Sequence, residues 1–328
     1  MDFVERVTAD SDGELQIMYG IDGEKELTES TLDHLGGYLD SRPVRVGNAA
    51  YSQRQNDVYG ALLDSIYIHS RALGGVSDSL WELARRQVEA AIAIWEQPDQ
   101  GIWEARGEPK HYLSSKLMCW VALDRGTRLA KARGERELVE RWGAEAERIK
   151  AEILARGVTA DGIFRQHYDT DELDASTLLV PLVRFLPSDD ERVVKTVLAI
   201  ADELTEMGLV LRYRTDQTDD GLHGVEGTFS ICSFWLVSAL AEIGEGERAA
   251  LMCEHLLIMG GALDLYAEEI DPHTGRQLGN FPQAFTHLAL INAVSQVIAD
   301  EKADGREPDE RAVFSEMLAA HEDGRIAS

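Results

Sequence analysis

The sequence predicts an all-α protein whose helices form two concentric layers, an (α/α) barrel or toroid. Three observations predict it. Helical periodicity dominates the chain, and helices with one wet face alternate with helices that are apolar nearly all round. Inner–outer helix pairs also recur at intervals of roughly fifty residues. A half-wet helix suits an outer layer, whereas one that is apolar on every side must be covered by its neighbours.

The pattern places helices at about 49–73, 78–96, 112–133, 135–156, 174–186, 190–207, 228–243, 246–261 and 282–299. Met1–Ala9 reads as the end of another helix. Over 78–96 one face carries Leu80, Trp81, Ala84, Val88, Ala91, Ile92 and Trp95, with Glu82, Arg85, Arg86 and Glu89 opposite. Residues 135–156 repeat the pattern with Leu138, Trp142, Ile149 and Ile153. Leu178 to Leu186 and Phe229 to Leu240 are apolar nearly all round. Short strand signals fall near 15–19, 162–168 and 209–214. Residues 300–311 form a charged linker with Gly305 and Pro308, and a short amphipathic helix is expected at 310–321. The expected division is a helical barrel domain over 1–299 and a linker with C-terminal tail over 300–328.

The 328 residues are 44% apolar, enough for a large core, and carry 59 Asp+Glu against 32 Lys+Arg, a net charge of -27. That surface repels phosphate backbones and anionic lipid, which disfavours nucleic-acid and membrane partners and is compatible with a neutral substrate such as a sugar. Cys119, Cys232 and Cys253 lie in apolar helical stretches without metal-type spacing and read as buried thiols of a reducing compartment. No run of about 18 apolar residues and no signal-peptide core is present, so a cytoplasmic location is expected.

The residues able to do chemistry lie in loops, where binding and catalytic groups concentrate on a rigid scaffold. Sugar hydrolysis needs one protonated and one ionised carboxyl flanking the glycosidic bond. Glu104 suits the acid, because Trp103 beside it can form a low-dielectric wall. Glu268 and Glu269 form an acidic pair in a polar turn, a suitable place for a solvated base. From composition alone such a pair is more often plain solvated surface.

Four stretches change that balance: Ser41-Arg-Pro-Val-Arg-Val-Gly-Asn-Ala-Ala50, Gly101-Ile-Trp-Glu-Ala-Arg-Gly107, Gly208-Leu-Val-Leu-Arg-Tyr-Arg214, and the run from Ala267 to Gln283. In this order, with helices between them, they resemble the glucoamylase–trehalase family, family 15 of the glycoside hydrolases, in its bacterial form. The resemblance covers residues 15 to about 295. It implies Glu104 as general acid in a Trp-Glu motif and Glu268 as general base in a Ser-Glu-(Glu/Gln)-aromatic-Asp motif. Here Ala267 replaces that motif's serine and Ile270 its aromatic residue. It further implies sugar binding by Arg212, with Tyr213 and Trp103 beside the pocket and Arg42 and Asn48 in a loop near it. Asp174 matches an inner-helix start, as a cap or a contact.

The family's mechanism implies an inverting, exo-acting α-glucoside hydrolase. It would release β-glucose from maltooligosaccharide or starch ends, or from trehalose, and needs no cofactor and no metal. Relative to the family's twelve-helix (α/α)6 barrel, which follows a β-sandwich in bacterial members, the chain reads as incomplete. The Trp-Arg-Asp-type sugar clamp is also absent. The alternative expectation is therefore a catalytically inactive or complementation-dependent fragment, and oligomerisation is left open.

Other readings are plainer. Trp95 reads as core, and Trp120 as core or sugar platform. His111, His223 and His273 read as polar-loop histidines, and Gly244–Ala249 as an interhelix turn. Asp219, Asp220 and Glu226 fit sugar contact or solvation better than a metal site. Other toroid enzymes, such as sugar epimerases or polyprenyl cyclases, would need histidine pairs or aspartate-rich metal motifs that the chain lacks.

Overall fold

A computed structural model describes residues 2–8, 15–218 and 226–303. Ten α-helices account for most of the described residues, and each of the seven strands is only two residues long. The chain divides into two compact units, residues 1–157 with 167–170, and residues 158–166 with 171–328. Among the described residues no helix is long and apolar enough to cross a membrane.

In the first unit, α1 (Asp2–Thr8) precedes a loop region holding β1 (Ser30–Thr31) and β2 (Arg45–Val46), which pair antiparallel. Four long helices follow: α2 (Asp57–Leu73), α3 (Asp78–Ile94), α4 (Leu113–Arg133) and α5 (Arg136–Arg156). Helix α4 is central and packs against the other three. The stripes of α3 and α5 are buried as the periodicity predicts except at Ile92 and Leu138, which are half-buried. Leu80, Trp81, Ala84, Val88 and Ala91 of α3 are buried, as are Trp142, Ala146, Ile149 and Ile153 of α5. Trp95 and Trp120 are both core. Capping chemistry sets the ends. The Ser77 hydroxyl accepts from the Leu80 N–H at 3.3 Å to start α3. Gly134 ends α4 in the left-handed region at φ 79°.

The expected helix at 49–73 is broken. A 3-10 turn covers Ala49–Ser52, and α2 begins only at Asp57. Tertiary hydrogen bonds explain the break: Arg54 O accepts from Gln100 N at 3.1 Å, and Asn56 N donates to Asp99 Oδ2 at 2.7 Å. Backbone groups used that way are lost to a continuous helix.

The second unit contains a 3-10 turn Ala175–Leu178, α6 (Leu179–Leu182), α7 (Glu191–Glu203), α8 (Ser230–Glu242), α9 (Gly246–Ile258) and α10 (Ala284–Ala303). Helix α8 is central here, packed by α6, α7, α9 and α10. The helix expected at 174–186 is only these two short pieces, since Arg184 turns into the left-handed region at φ 63°. Helix α7 stops at Glu203, short of the expected 207, because Met207 and Gly208 turn the chain so that β3 (Thr205–Glu206) pairs with β4 (Leu209–Val210). Strands β5 (Thr228–Phe229), β6 (Glu269–Ile270) and β7 (Gln277–Leu278) form an antiparallel sheet in that order. Strand signal at 209–214 is thus met in part, whereas 15–19 is not a strand and 162–168 supplies only two isolated bridges, Val158–Phe164 and Tyr112–His167. Gly244, at φ 89°, makes the turn between α8 and α9. The helix expected at 310–321 lies outside the described residues.

Two glycines test this packing in opposite senses. A Cβ on Gly60 of α2 would lie 2.2 Å from the Met118 carbonyl of α4, whereas a Cβ on Gly143 of α5 would meet nothing within 4 Å. Gly60→Ala should therefore cost about 1–3 kcal/mol of stability by forcing the helices apart. Gly143→Ala should raise it by up to ~1 kcal/mol through helix propensity. Urea denaturation of both variants checks the pair of signs.

Candidate active site residues

The first unit holds Glu104 in a loop tied at both ends. Asp99 and Lys110 exchange backbone hydrogen bonds of 3.0 and 2.8 Å, closing the loop just before α4. Asp99, buried, also accepts from Ser115 Oγ of α4 at 2.7 Å through Oδ2, the oxygen that takes the Asn56 N–H. Gly101 is required at its turn, since at φ 69° a Cβ there would lie 2.7 Å from the Tyr112 ring. Glu104 itself has φ 56°, a left-handed conformation costing roughly 1–2 kcal/mol in a residue with a side chain. The surroundings hold it there. Gln53 Nε2 donates to the carbonyls of Glu104 and Ala105 at 3.4 and 3.2 Å, and the Ala105 N–H reaches Gln100 O at 3.2 Å.

The Glu104 side chain is half-buried, with Trp103 likewise half-buried beside it. Asn48 Nδ2 donates to Glu104 Oε2 at 3.4 Å, while Asn48 Oδ1 caps the 3-10 turn by accepting from Ala50 N at 2.8 Å. Of the two loop residues expected near the pocket, Asn48 is thus brought to the carboxyl, whereas Arg42 stands exposed in the strand-connecting loop.

The second unit holds Arg212, Tyr213 and Glu268. Arg212 and Tyr213 are both buried. The guanidinium lies 4.7 Å from the Tyr213 ring centroid and 4.9 Å from that of Phe229. Its Nε donates to Glu226 Oε2 at 2.8 Å and its Nη2 pairs with Glu226 Oε1. This fork-on-carboxylate geometry fixes the plane of the guanidinium. Asp174 acts as the cap: Oδ1 accepts from Ser176 N at 2.7 Å and Oδ2 from Gln166 Nε2 at 3.0 Å. The next residue, Ala175, donates its N–H to Arg212 O at 2.8 Å.

Glu268 sits at the start of β6. Its N–H donates to Asn280 O and its carbonyl accepts from Ser230 N, both at 2.9 Å. The departures from the expected motif are accommodated by burial. Ala267 is wholly enclosed, its N–H donating to Gln277 Oε1 at 2.7 Å, and Ile270 is core. Glu268 is half-exposed, and its Oε2 accepts from both N and Nδ2 of Asn280 at 3.1 Å. Its neighbour Glu269 differs. Burial raises its pKa, the Gly227 N–H bond at 2.9 Å opposes that, the carboxylates of Glu226 and Glu268 push it further up, and Arg212 draws it back.

Sequence reasoning named Glu226 only as one of a group with Asp219 and Asp220, which, like His223, lie outside the described residues. It assigned no role to Gln53, Asp99, Gly279 or Asn280. A polar residue two or more positions from a motif glutamate has no spacing signature, so these partners emerge only from folding. Among the described residues no group of three or more His, Cys, Asp or Glu could hold a metal ion. The three cysteines are free and buried.

The family model described as glycosyl hydrolases family 15 matches residues 1–256 and 261–295. A trehalase of Mycolicibacterium smegmatis is 60% identical over 306 residues, 92% of this chain and 46% of the relative. One of Mycobacterium tuberculosis is 62% identical, covering 88% of this chain and 43% of the relative. A third, of Thermoplasma volcanium, is 37% identical over 90% of this chain and 47% of its own length. The chain thus spans about half the length of the curated relatives it matches. A bacterial glucoamylase solved with acarbose superposes with TM-score 0.69 at 11% identity, over 91% of this chain and 45% of that one. The Saccharomycopsis fibuligera glucoamylase gives TM-score 0.63 at 11% identity, over 75% and 70%. At such identities the likeness is one of fold, the (α/α) barrel of the glucoamylases.

The buried acids at the base of the Glu104 loop generate a stability prediction. Asp57 Oδ1 is buried without a hydrogen-bond partner, and the Asp57 pKa is pushed from 3.8 up to about 7, by burial first and by the charge of Asp99 second. A raised acid holds its proton in the native state after the unfolded chain has lost it, so stability falls as pH rises between those two values. Asp57→Asn should flatten that decline. Denaturant midpoints measured at several pH values across the window check it, and a parallel decline in the variant would refute the assignment.

Proposed function

We propose that this chain, which belongs to family 15 of the glycosyl hydrolases, carries the acid and base carboxyls of an inverting α-glucoside hydrolase and that its substrate is trehalose. The observation that carries the substrate choice is the pair of mycobacterial trehalases at 60% and 62% identity over most of the chain. Supporting the site are two carboxyls with defined partners, Glu104 with Asn48 in one unit and Glu268 with Asn280 in the other.

In this reading Glu104 donates its proton to the glycosidic oxygen as the bond to the anomeric carbon breaks. Glu268 takes a proton from the water that attacks that carbon from the opposite face, so one glucose leaves as the β-anomer. Inversion needs the two carboxyls ~6.5–9.5 Å apart, leaving room for the water. Arg212, held by Glu226 beside the rings of Tyr213 and Phe229, is the proposed donor to sugar hydroxyls. Trp103, Asn48 and Arg42 are the further proposed sugar contacts, whereas Tyr213, expected beside the sugar, is buried against the Arg212 guanidinium and acts through that side chain. The two carboxyls suffice for this chemistry, which requires no cofactor.

A second reading is favoured by the coverage of under half of the mycobacterial relatives: these residues work only beside further polypeptide. The discriminating experiment is glucose release from trehalose, maltose and maltooligosaccharides by the purified chain and its Glu104→Gln variant. Release from trehalose by the parent, with kcat roughly 100-fold lower or less in the variant, is expected from loss of the general acid. A fully active variant would sink the assignment of Glu104. A cooperatively folded parent that releases glucose from none of the three selects the second reading.

A further inference from the structure

Resting on Glu268 as the base, we propose that Asn280 is a positioning residue that aims the base carboxylate, and that Gly279 is the residue that lets it do so. A glutamate side chain has three rotatable torsions, and a general base must present one oxygen to water in one direction. Glu268 sits at the edge of β6, opposite the end of β7, where the hairpin register is Glu269 with Leu278. The hairpin ladder is extended by Glu268 N donating to Asn280 O at 2.9 Å. The Glu268 carbonyl is occupied by Ser230 N of α8, and the Asn280 N–H is directed at the Glu268 side chain instead. With Nδ2 of the same asparagine it makes a two-donor clip, both bonds 3.1 Å long and both on Oε2.

Gly279 gives the clip its room. At φ 71° a Cβ on this residue would lie 2.7 Å from Glu268 Oε2 and 3.1 Å from Glu268 Cβ. Any side chain there would push the carboxylate off its donors, besides adopting a backbone region that side chains avoid. Both clip bonds are open to solvent, where water competes for the same groups, so they contribute little to stability. What they fix is direction. With Oε2 held, Oε1, to which no described residue donates, is the oxygen that takes the proton of the attacking water.

The test compares the full chain with Asn280→Ala, Asn280→Ser, Gly279→Ala and Glu268→Gln. It measures kcat and KM for trehalose, and the side-chain amide resonances in a 1H–15N spectrum. Asn280→Ala should lower kcat about 10- to 100-fold with KM within about two-fold, the range expected for a misaimed group. Asn280→Ser keeps a side-chain donor and should recover part of the loss, and Gly279→Ala should match Asn280→Ala. The Asn280 amide resonance should move in Glu268→Gln. If Asn280→Ala keeps kcat within two-fold while Glu268→Gln is inactive, the positioning role is overturned and the hydrolase reading stands. If Glu268→Gln is fully active, the base assignment falls and this inference with it. Should the parent hydrolyse no substrate, the resonance decides: a shift in Glu268→Gln supports the clip, and an unmoved signal overturns it.

Discussion

Each unit is organised by a largely buried helix, and the polar atoms on that helix dictate where the loops go. In the first unit every residue from Leu113 to Leu123 of α4 is buried. Among them is Lys116, whose ammonium donates to the carbonyls of Trp95 and Gln97. A buried ammonium without such partners would be prohibitively costly. Satisfying it pins the end of α3 and the segment leading to Asp99, and from there the Glu104 loop. In the second unit α8 plays the same part. Ser233 in its first turn accepts the Val210 N–H at 2.9 Å, placing the strand that leads to Arg212, and its first residue, Ser230, holds the Glu268 carbonyl.

Burial and orientation are divided between different acids. Desolvation leads the causes that raise the pKa values of Asp57, Asp99 and Glu269. The two carboxyls proposed for chemistry are half-exposed, and each receives an amide donor from an asparagine, Asn48 for Glu104 and Asn280 for Glu268. Asp99, which is buried, ties the Glu104 loop to the start of α2 and to α4 through Asn56 N and Ser115 Oγ; the half-exposed pair stays open to a substrate and to water. Glu104 is one of six described non-glycine residues with positive φ, and the Gln53 and Gln100 hydrogen bonds hold it in that conformation. Strain retained at one loop residue under several restraints is a common mark of a functional position.

The amino-acid sequence alone determined the helical class, most of the wet and dry faces of α3 and α5, the near-complete burial of α8, and the motif stretches by which the family is recognised. These depend on period and on short contiguous patterns, which are properties of the chain itself. It did not show the burial of α4, because Lys116, Asp124 and Arg125 interrupt its apolar pattern; the Trp95 and Gln97 carbonyls that shelter Lys116 are 19 or more residues away. It also did not show the break before α2, the short pieces at 175–182, or the hairpins at β3–β4 and β6–β7. There, hydrogen bonds between distant segments outweigh local propensity. The partners of the candidate carboxyls belong to this second group. Asn48 lies 56 residues from Glu104 and Asn280 lies 12 from Glu268, and only the folded backbone, with glycine where a side chain would collide, brings each donor to its acceptor.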